Sequence, residues 1–195
     1  ASDSSVTAQI TGDGVLSIDS KTTTSSSPCL VTFSDLSTRD NGVFESSCDI
    51  QAKKLDLQGG GIEATTTANH RTITILKGGL MELSGSVTWS GFFVINYGEI
   101  VVDTESSFHL SEVFRNEGVL VMSDLSMLNG FDGSKGVTCD NMGTIIINTT
   151  ASLNCNFNQY SNGTLAFKIV NEVQTPLTIL GDVDMDGAIE IRWNT

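Results

Sequence analysis

Positive charge is scarce in this chain. Ten Lys and Arg stand against 23 Asp and Glu in 195 residues, a net charge of −13. Attraction to a nucleic-acid backbone or an anionic membrane runs on clustered cations, and the few here are scattered, so neither is an expected partner. No apolar run approaches the roughly 18 residues of a membrane-spanning helix. Two histidines and no Cys-x-x-Cys pair give a zinc site nothing to build on. Helical patterning is missing too: Leu, Ala, Glu and Lys never recur at 3.6-residue spacing over three turns. Two prolines leave the turns to Gly, Asn, Asp and Ser. Catalytic phrases are also absent: no Gly-x-Ser-x-Gly elbow, no His-Glu-x-x-His, no phosphate-binding loop. His70 lies in the polar stretch Asn69-His70-Arg71 and His109 between Phe108 and Leu110 on an expected strand; neither is assigned a catalytic role.

What the chain does have is repetition. A glycine followed by alternating apolar residues recurs at Gly14-Leu16-Ile18, Gly42-Phe44, Gly60-Ile62-Ala64, Gly79-Met81-Leu83, Gly98-Ile100-Val102, Gly118-Leu120-Met122, Gly143-Ile145-Ile147, Gly163-Leu165-Phe167 and Gly187-Ile189-Ile191. The gaps between these glycines are 28, 18, 19, 19, 20, 25, 20 and 24 residues. A period of that size marks a stacked repeat. Alternation puts every second side chain on one face, so each phrase predicts a strand with its apolar residues inward. An Asn stands two residues before the glycine at Asn96, Asn116 and Asn141, and Ser161 takes that place in the next copy. Stacked Asn side chains can hydrogen-bond along the axis; the alternative is that each merely starts its own turn. The expected fold is all-β, a parallel β-helix (β-solenoid) of about nine coils of 18–25 residues, a rod on the order of 40 Å long. An antiparallel β-sandwich is the alternative, since it too is built from short strands and turns, but it does not require a phrase repeated in constant phase. The Ser- and Thr-rich segment 21–28 reads as a loop that lengthens the first gap.

One domain spanning 1–195 is the natural unit for such an array. Ala188 to Trp193 still alternate where the sequence stops, so a fragment of a longer extracellular protein is expected. Four cysteines allow three pairings. Cys29–Cys48 and Cys139–Cys155 are preferred, because each pair is separated by about one coil and neighbouring strands lie ~4.8 Å apart, within disulfide reach. The sequons Asn148-Thr149-Thr150 and Asn162-Gly163-Thr164 are candidate glycosylation sites and point the same way, to an exported protein. Ser and Thr number 45, so the surface is one of hydroxyls more than ion pairs.

Phrases such as Asn96-Tyr97-Gly98-Glu99-Ile100 and Asn141-Met142-Gly143-Thr144-Ile145 resemble the coils of parallel β-helices in repetitive surface adhesins, bacterial autotransporter passengers among them. The resemblance covers roughly residues 60 to 191. It implies an extracellular, right-handed β-helix that displays a surface. Four cysteines depart from the usual autotransporter composition.

Three candidate sites remain. Asp182, Asp184 and Asp186, followed by Gly187 and Ile189, match the opening of an EF-hand-like calcium loop, but Trp193 occupies the position of the closing carboxylate. The same residues also fit a plain strand with its acids in water, and calcium is the only cofactor suggested. Trp89, Phe92, Phe93 and Tyr97 are candidate contacts for a sugar or protein, with core packing as the alternative. The expectation for function is a non-enzymatic extracellular or cell-surface module for adhesion, receptor recognition or structural display, its partner an extracellular protein or glycan. Two alternatives are a polysaccharide-active β-helix enzyme (lyase or glycosidase), for which only the Asp182–Asp186 acids cluster, and an ice-binding solenoid hinted at by Thr72, Thr74 and the run Thr65-Thr66-Thr67.

Overall fold

The computed structural model describes residues 6–10, 15–18, 30–40, 42–64, 71–130, 137–169 and 177–193, with side chains described from residue 30 to 192. Gly14, the 21–28 segment, Cys29, Thr65 to Thr67, Asn69 and His70 lie outside the described residues. All described regular structure is strand, twenty strands in one hydrogen-bonded system, and every strand pairing is parallel. Parallel pairing between successive coils makes this a β-solenoid and rules out the antiparallel sandwich.

Each coil carries three faces. Face A stacks Phe92–Asn96 under Phe114–Asn116, Thr138–Asn141, Asn156–Gln159 and Val183–Met185. Face B stacks Glu99–Val102, Val119–Met122, Thr144–Ile147, Thr164–Ile169 and Ala188–Trp193. Face C stacks Ser107–Leu110, Ser126–Gly130, Ala151–Asn154 and Thr178–Ile179. In the earlier coils the chain turns the corners without breaking its strand: Leu30–Arg39 spans two faces, and Asp49–Ala64 and Arg71–Ser90 each span three. About seven turns carry all three faces, flanked by a partial turn at each end. The nine glycine phrases therefore overcount the complete coils. We number coils from the partial first one, so that Phe92–Asn96 opens the fifth and Val183–Met185 the ninth.

Register keeps like residues in columns. On face B one inward column runs Leu36, Leu55, Met81, Ile100, Leu120, Ile145, Leu165 and Ile189. These are sealed from water up to Leu165, whereas Ile189 and Ile191 on the last described coil are 62% and 57% exposed. Aromatic rings fill the interior: Trp89 meets Phe108 edge-on at 5.0 Å, and Phe108 meets Phe114 at 6.3 Å. Edge-to-face geometry matches the positive rim of one ring to the negative face of the next.

The repeating glycine serves two different corners, so the phrase is not in constant phase. Gly79, Gly98, Gly118, Gly143, Gly163 and Gly187 precede face-B strands, whereas Gly42 and Gly60 precede face-C strands: Val43–Ser46 stacks on 61–64, which stacks on Thr88 and Trp89. In the coils containing Leu36 and Leu55, the A–B corner lies inside a continuous strand, with a register shift between Ala52 and Lys54 as the bend in the second case. At the glycine corners the requirement is space. A Cβ on Gly118 would lie 2.1 Å from the Gly98 carbonyl oxygen, and one on Gly143 would lie 2.2 Å from that of Gly118. At the B–C corner five coils instead place a left-handed residue, in turn Asp40, Gly59, Gly85, Glu105 and Leu125.

Behind the A–B corner an inward column of face A changes character. Phe33, Ala52 and Ile75 give way to Asn96, Asn116, Asn141 and Gln159. All four amides are 0–2% exposed. Asn96 Nδ2 donates to Asn116 Oδ1 (2.8 Å), Asn116 Nδ2 to Asn141 Oδ1 (2.8 Å), and Asn141 Nδ2 to Gln159 Oε1 (3.2 Å). Each also donates to a face-B carbonyl: Val119, Thr144 and Thr164 in turn. Gln159 Nε2 ends the series on the Ala188 carbonyl (2.7 Å). This is the stacked arrangement, and Gln159 supplies its fourth rung; Ser161 sits in the exposed turn beyond it.

The two kinds of glycine give a testable contrast. Gly118→Ala forces a methyl into a backbone oxygen, whereas Gly78 (φ +73) has nothing within 4 Å of its missing Cβ. Gly78→Ala should cost about 1 kcal/mol for the left-handed backbone, and Gly118→Ala about 3 kcal/mol or loss of the fold. Thermal denaturation of the two variants checks the order; equal losses would contradict the packing account.

Candidate functional site

The aromatic candidates separate at once. Trp89 and Phe92 are fully buried, because they occupy inward positions of their strands, so they are core residues and not contacts. Phe93 points outward on face A and is half-buried, and Tyr97 stands 42% exposed at the A–B corner. The same corner, three coils on, carries Tyr160 at 41% exposure. Backbone amides fix both sites, Tyr97 N–H donating to Ile75 O (2.9 Å) and Tyr160 N–H to Asn141 O (3.0 Å). Tyr160 was not picked out from sequence. Its signal was its place one residue after Gln159, matching Tyr97 after Asn96.

His109 faces outward on face C within a polar row. Its Nε2 lies 2.9 Å from Ser107 Oγ and its Nδ1 3.2 Å from Asn129 Nδ2. Asn154 Nδ2 donates to Asn129 Oδ1 at 2.7 Å, which orients the Asn129 amide with its NH2 toward the histidine. Nδ1 is then the acceptor of the neutral ring, and Nε2 carries the hydrogen that Ser107 accepts. In that tautomer the ring has no lone pair directed at the Ser107 hydroxyl.

The acids of the last coil do not converge. Val183 and Met185 stack on Phe157 and Gln159, so Asp184 stacks on Asn158 on the opposite, outward side. Asp182 N–H donates to Asn156 Oδ1, and Asp186 N–H donates to Gln159 O as the corner amides Glu117, Met142 and Tyr160 do to their own preceding coils. Among the described residues no three His, Cys, Asp or Glu side chains are grouped to hold a metal ion. The threonine rows also fail to continue: Thr72 and Thr74 are followed in register by Phe93 and Ile95.

Cys139 and Cys155 are disulfide-bonded, with Cα atoms 6.0 Å apart and both side chains buried. The bond ties the start of a face-A strand to the C–A corner and closes a loop worth ~3 kcal/mol on the chain-entropy account. Cys48 is also disulfide-bonded and sits at the same kind of corner, between Ser46 and Asp49; Cys29, its expected partner, lies outside the described residues.

The two sequons differ in setting. Asn162 stands exposed in the turn after Tyr160, whereas Asn148 is half-buried with its Oδ1 shut away from water and unpartnered. Beside Asn148, Thr149 Oγ1 donates to Asp124 Oδ1 of the preceding coil at 2.8 Å, and Thr150 N–H at 3.4 Å. The Thr149 hydroxyl, with lesser help from backbone amides, holds the Asp124 carboxyl below the ordinary carboxylate range.

A shallow groove of about 300 Å³ crosses face B, lined by Asp56, Gln58, Glu82, Leu83, Ser84, Val101 and Asp103. Asp56 is offset by Arg39 at 3.9 Å, and Glu82 and Asp103 line the groove with no ion pair among the described residues. Sequence reading missed these acids because they are distant in the chain; only the register brings Asp56 beside Glu82. Among the described residues no helix is long and apolar enough to cross a membrane. No family model, curated protein or solved structure matches this chain.

A lowered carboxyl pKa stabilises the fold above the ordinary value, and that contribution is lost as pH falls through the folded value. Thr149→Val should therefore return the Asp124 carboxyl toward its ordinary range and raise the pH at which acid unfolding begins. An NMR titration of Asp124 in both proteins checks this; an unmoved titration would sever the link to Thr149.

Proposed function

We propose that this chain is a non-enzymatic extracellular or cell-surface module that works by display, in adhesion, receptor recognition or structural spacing. The observation that carries the reading is the pair of exposed tyrosines, Tyr97 and Tyr160, held three coils apart at the closely packed A–B corner. An amphipathic ring fixed on rigid backbone loses little entropy on binding, which favours contact with a sugar face or a protein anchor. Supporting features are the buried Cys139–Cys155 bond, at home in an oxidising compartment, and the exposed Asn162 sequon. The acidic surface, net −13, suits solubility and selects against anionic partners.

The test is a screen against a glycan array and a panel of extracellular proteins, with calcium and again with EDTA. A ligand should be found whose binding falls about tenfold in Tyr97→Ala and Tyr160→Ala without a change in melting temperature. Binding indifferent to both substitutions would remove the tyrosine corner from the account. Binding lost in EDTA would assign the Asp182 to Asp186 strand a metal role.

A further inference from the structure

One corner of the rod is longer than the fold requires. In coils five, six, seven and nine a single residue separates the face-A strand from the corner glycine, as in Asn96-Tyr97-Gly98 and Asn141-Met142-Gly143. In coil eight three residues, Tyr160, Ser161 and Asn162, stand between Gln159 and Gly163. The additional length closes a turn of its own, with Gly163 N–H donating to Tyr160 O at 2.7 Å. Ser161 and Asn162 both keep negative φ, as a type I turn requires. Coil seven pins the two ends: Tyr160 N–H donates to Asn141 O (3.0 Å) and Thr164 N–H to Gly143 O (2.8 Å). Gly163 is buried beneath, and Tyr160, Ser161 and Asn162 all stand exposed. The extra residues thus bring out the acceptor of the Asn162-Gly163-Thr164 sequon beside an exposed ring.

We propose that Asn162 carries an N-linked glycan whose first sugar packs on the ring of Tyr160. In the transfer, Asn162 Nδ2 attacks the anomeric carbon of an N-acetylglucosamine carried on a polyprenyl diphosphate, the donor of an oligosaccharyltransferase. The new N–C bond forms as the C–O bond to the diphosphate breaks. The diphosphate leaves with that electron pair, the amide gives one proton to a base, and nothing is oxidised or reduced. The ends of such a turn lie within ~7 Å of each other, so a pyranose ring on Asn162 reaches the tyrosine two residues back. One face of that sugar is a patch of C–H bonds, which suits the electron-rich face of the phenol ring and leaves its hydroxyl in water. Because the turn is already fixed at both ends, holding the sugar orders little further backbone. Asn148 lacks this setting: it is half-buried, and Ile145, Ile146 and Ile147 precede it. The inference rests on the extracellular reading and deepens it. The sugar held on Tyr160 becomes part of what the corner displays, and Tyr97 remains its bare ring.

The test expresses the full chain through a eukaryotic secretory pathway and trims its glycans enzymatically to one N-acetylglucosamine. Peptide mass spectrometry should find Asn162 occupied in wild type, Tyr160→Ala and Tyr160→Phe. The trimmed wild type should melt about 2–4 °C above Asn162→Gln. In the Tyr160→Ala background Asn162→Gln should leave the melting temperature unchanged, and in the Tyr160→Phe background the difference should return. Ring protons of the sugar should be shifted upfield in NMR spectra of wild type and Tyr160→Phe, and not of Tyr160→Ala. An unmodified Asn162 overturns the site. An occupied Asn162 with the same melting difference in wild type and Tyr160→Ala overturns the packing on Tyr160. None of these measurements uses a partner, so their failure is distinct from a failed binding screen.

Discussion

The distance between successive coils at the A–B corner is the constraint on which the rest depends. Where Gly118 passes Gly98, and Gly143 passes Gly118, the backbones approach so closely that a single methyl would overlap a carbonyl oxygen. Such contact lets each coil hydrogen-bond the next across the turn as well as along the strands: Glu117 N–H donates to Asn96 O, Met142 N–H to Asn116 O, and Tyr160 N–H to Asn141 O, at 2.8 to 3.0 Å. A bulky residue would hold two coils apart at one corner and tilt every rung above it.

Tight stacking also creates a problem of polar satisfaction. The amide side chains behind the corner are buried, and a buried polar group without a partner costs about 1–3 kcal/mol. The Asn96–Asn116–Asn141–Gln159 series answers this locally, each side-chain amide bonding both its neighbour and a strand carbonyl. In the earlier coils, where the A–B corner lies inside continuous strands, the same column is Phe33, Ala52 and Ile75 and packs as ordinary core. Corner chemistry and core chemistry therefore change together along the rod. Function, on this view, falls to what the rigid frame points outward.

Much of the frame could be read from the chain. Alternating apolar residues after a glycine placed Met81, Ile100, Leu120, Ile145 and Leu165 inward, and coil-length spacing paired Cys139 with Cys155. What could not be read was which corner a given glycine serves. Gly60 and Gly79 begin the same phrase, yet one opens face C and the other face B, because only the stacking partner decides. Trp89 and Phe92 resembled contacts because local alternation leaves its phase open where Trp89-Ser90-Gly91-Phe92-Phe93 crosses a corner. Gln159 was passed over for Ser161 because the turn here is two residues longer, which puts the column residue four places before its glycine instead of two. The face-B groove is a product of register alone, joining residues a coil apart in the chain at each step.

Native-state hydrogen exchange at the corner amides tests the central claim most directly. If coil-to-coil stacking at the A–B corner holds the fold together, the amides of Glu117, Met142 and Tyr160 should exchange only with global unfolding, at the same free energy as the face-B strand amides of Leu120 and Ile145. Exchange of those corner amides within minutes, while the strand amides stay protected, would show the corners opening independently and would contradict the account.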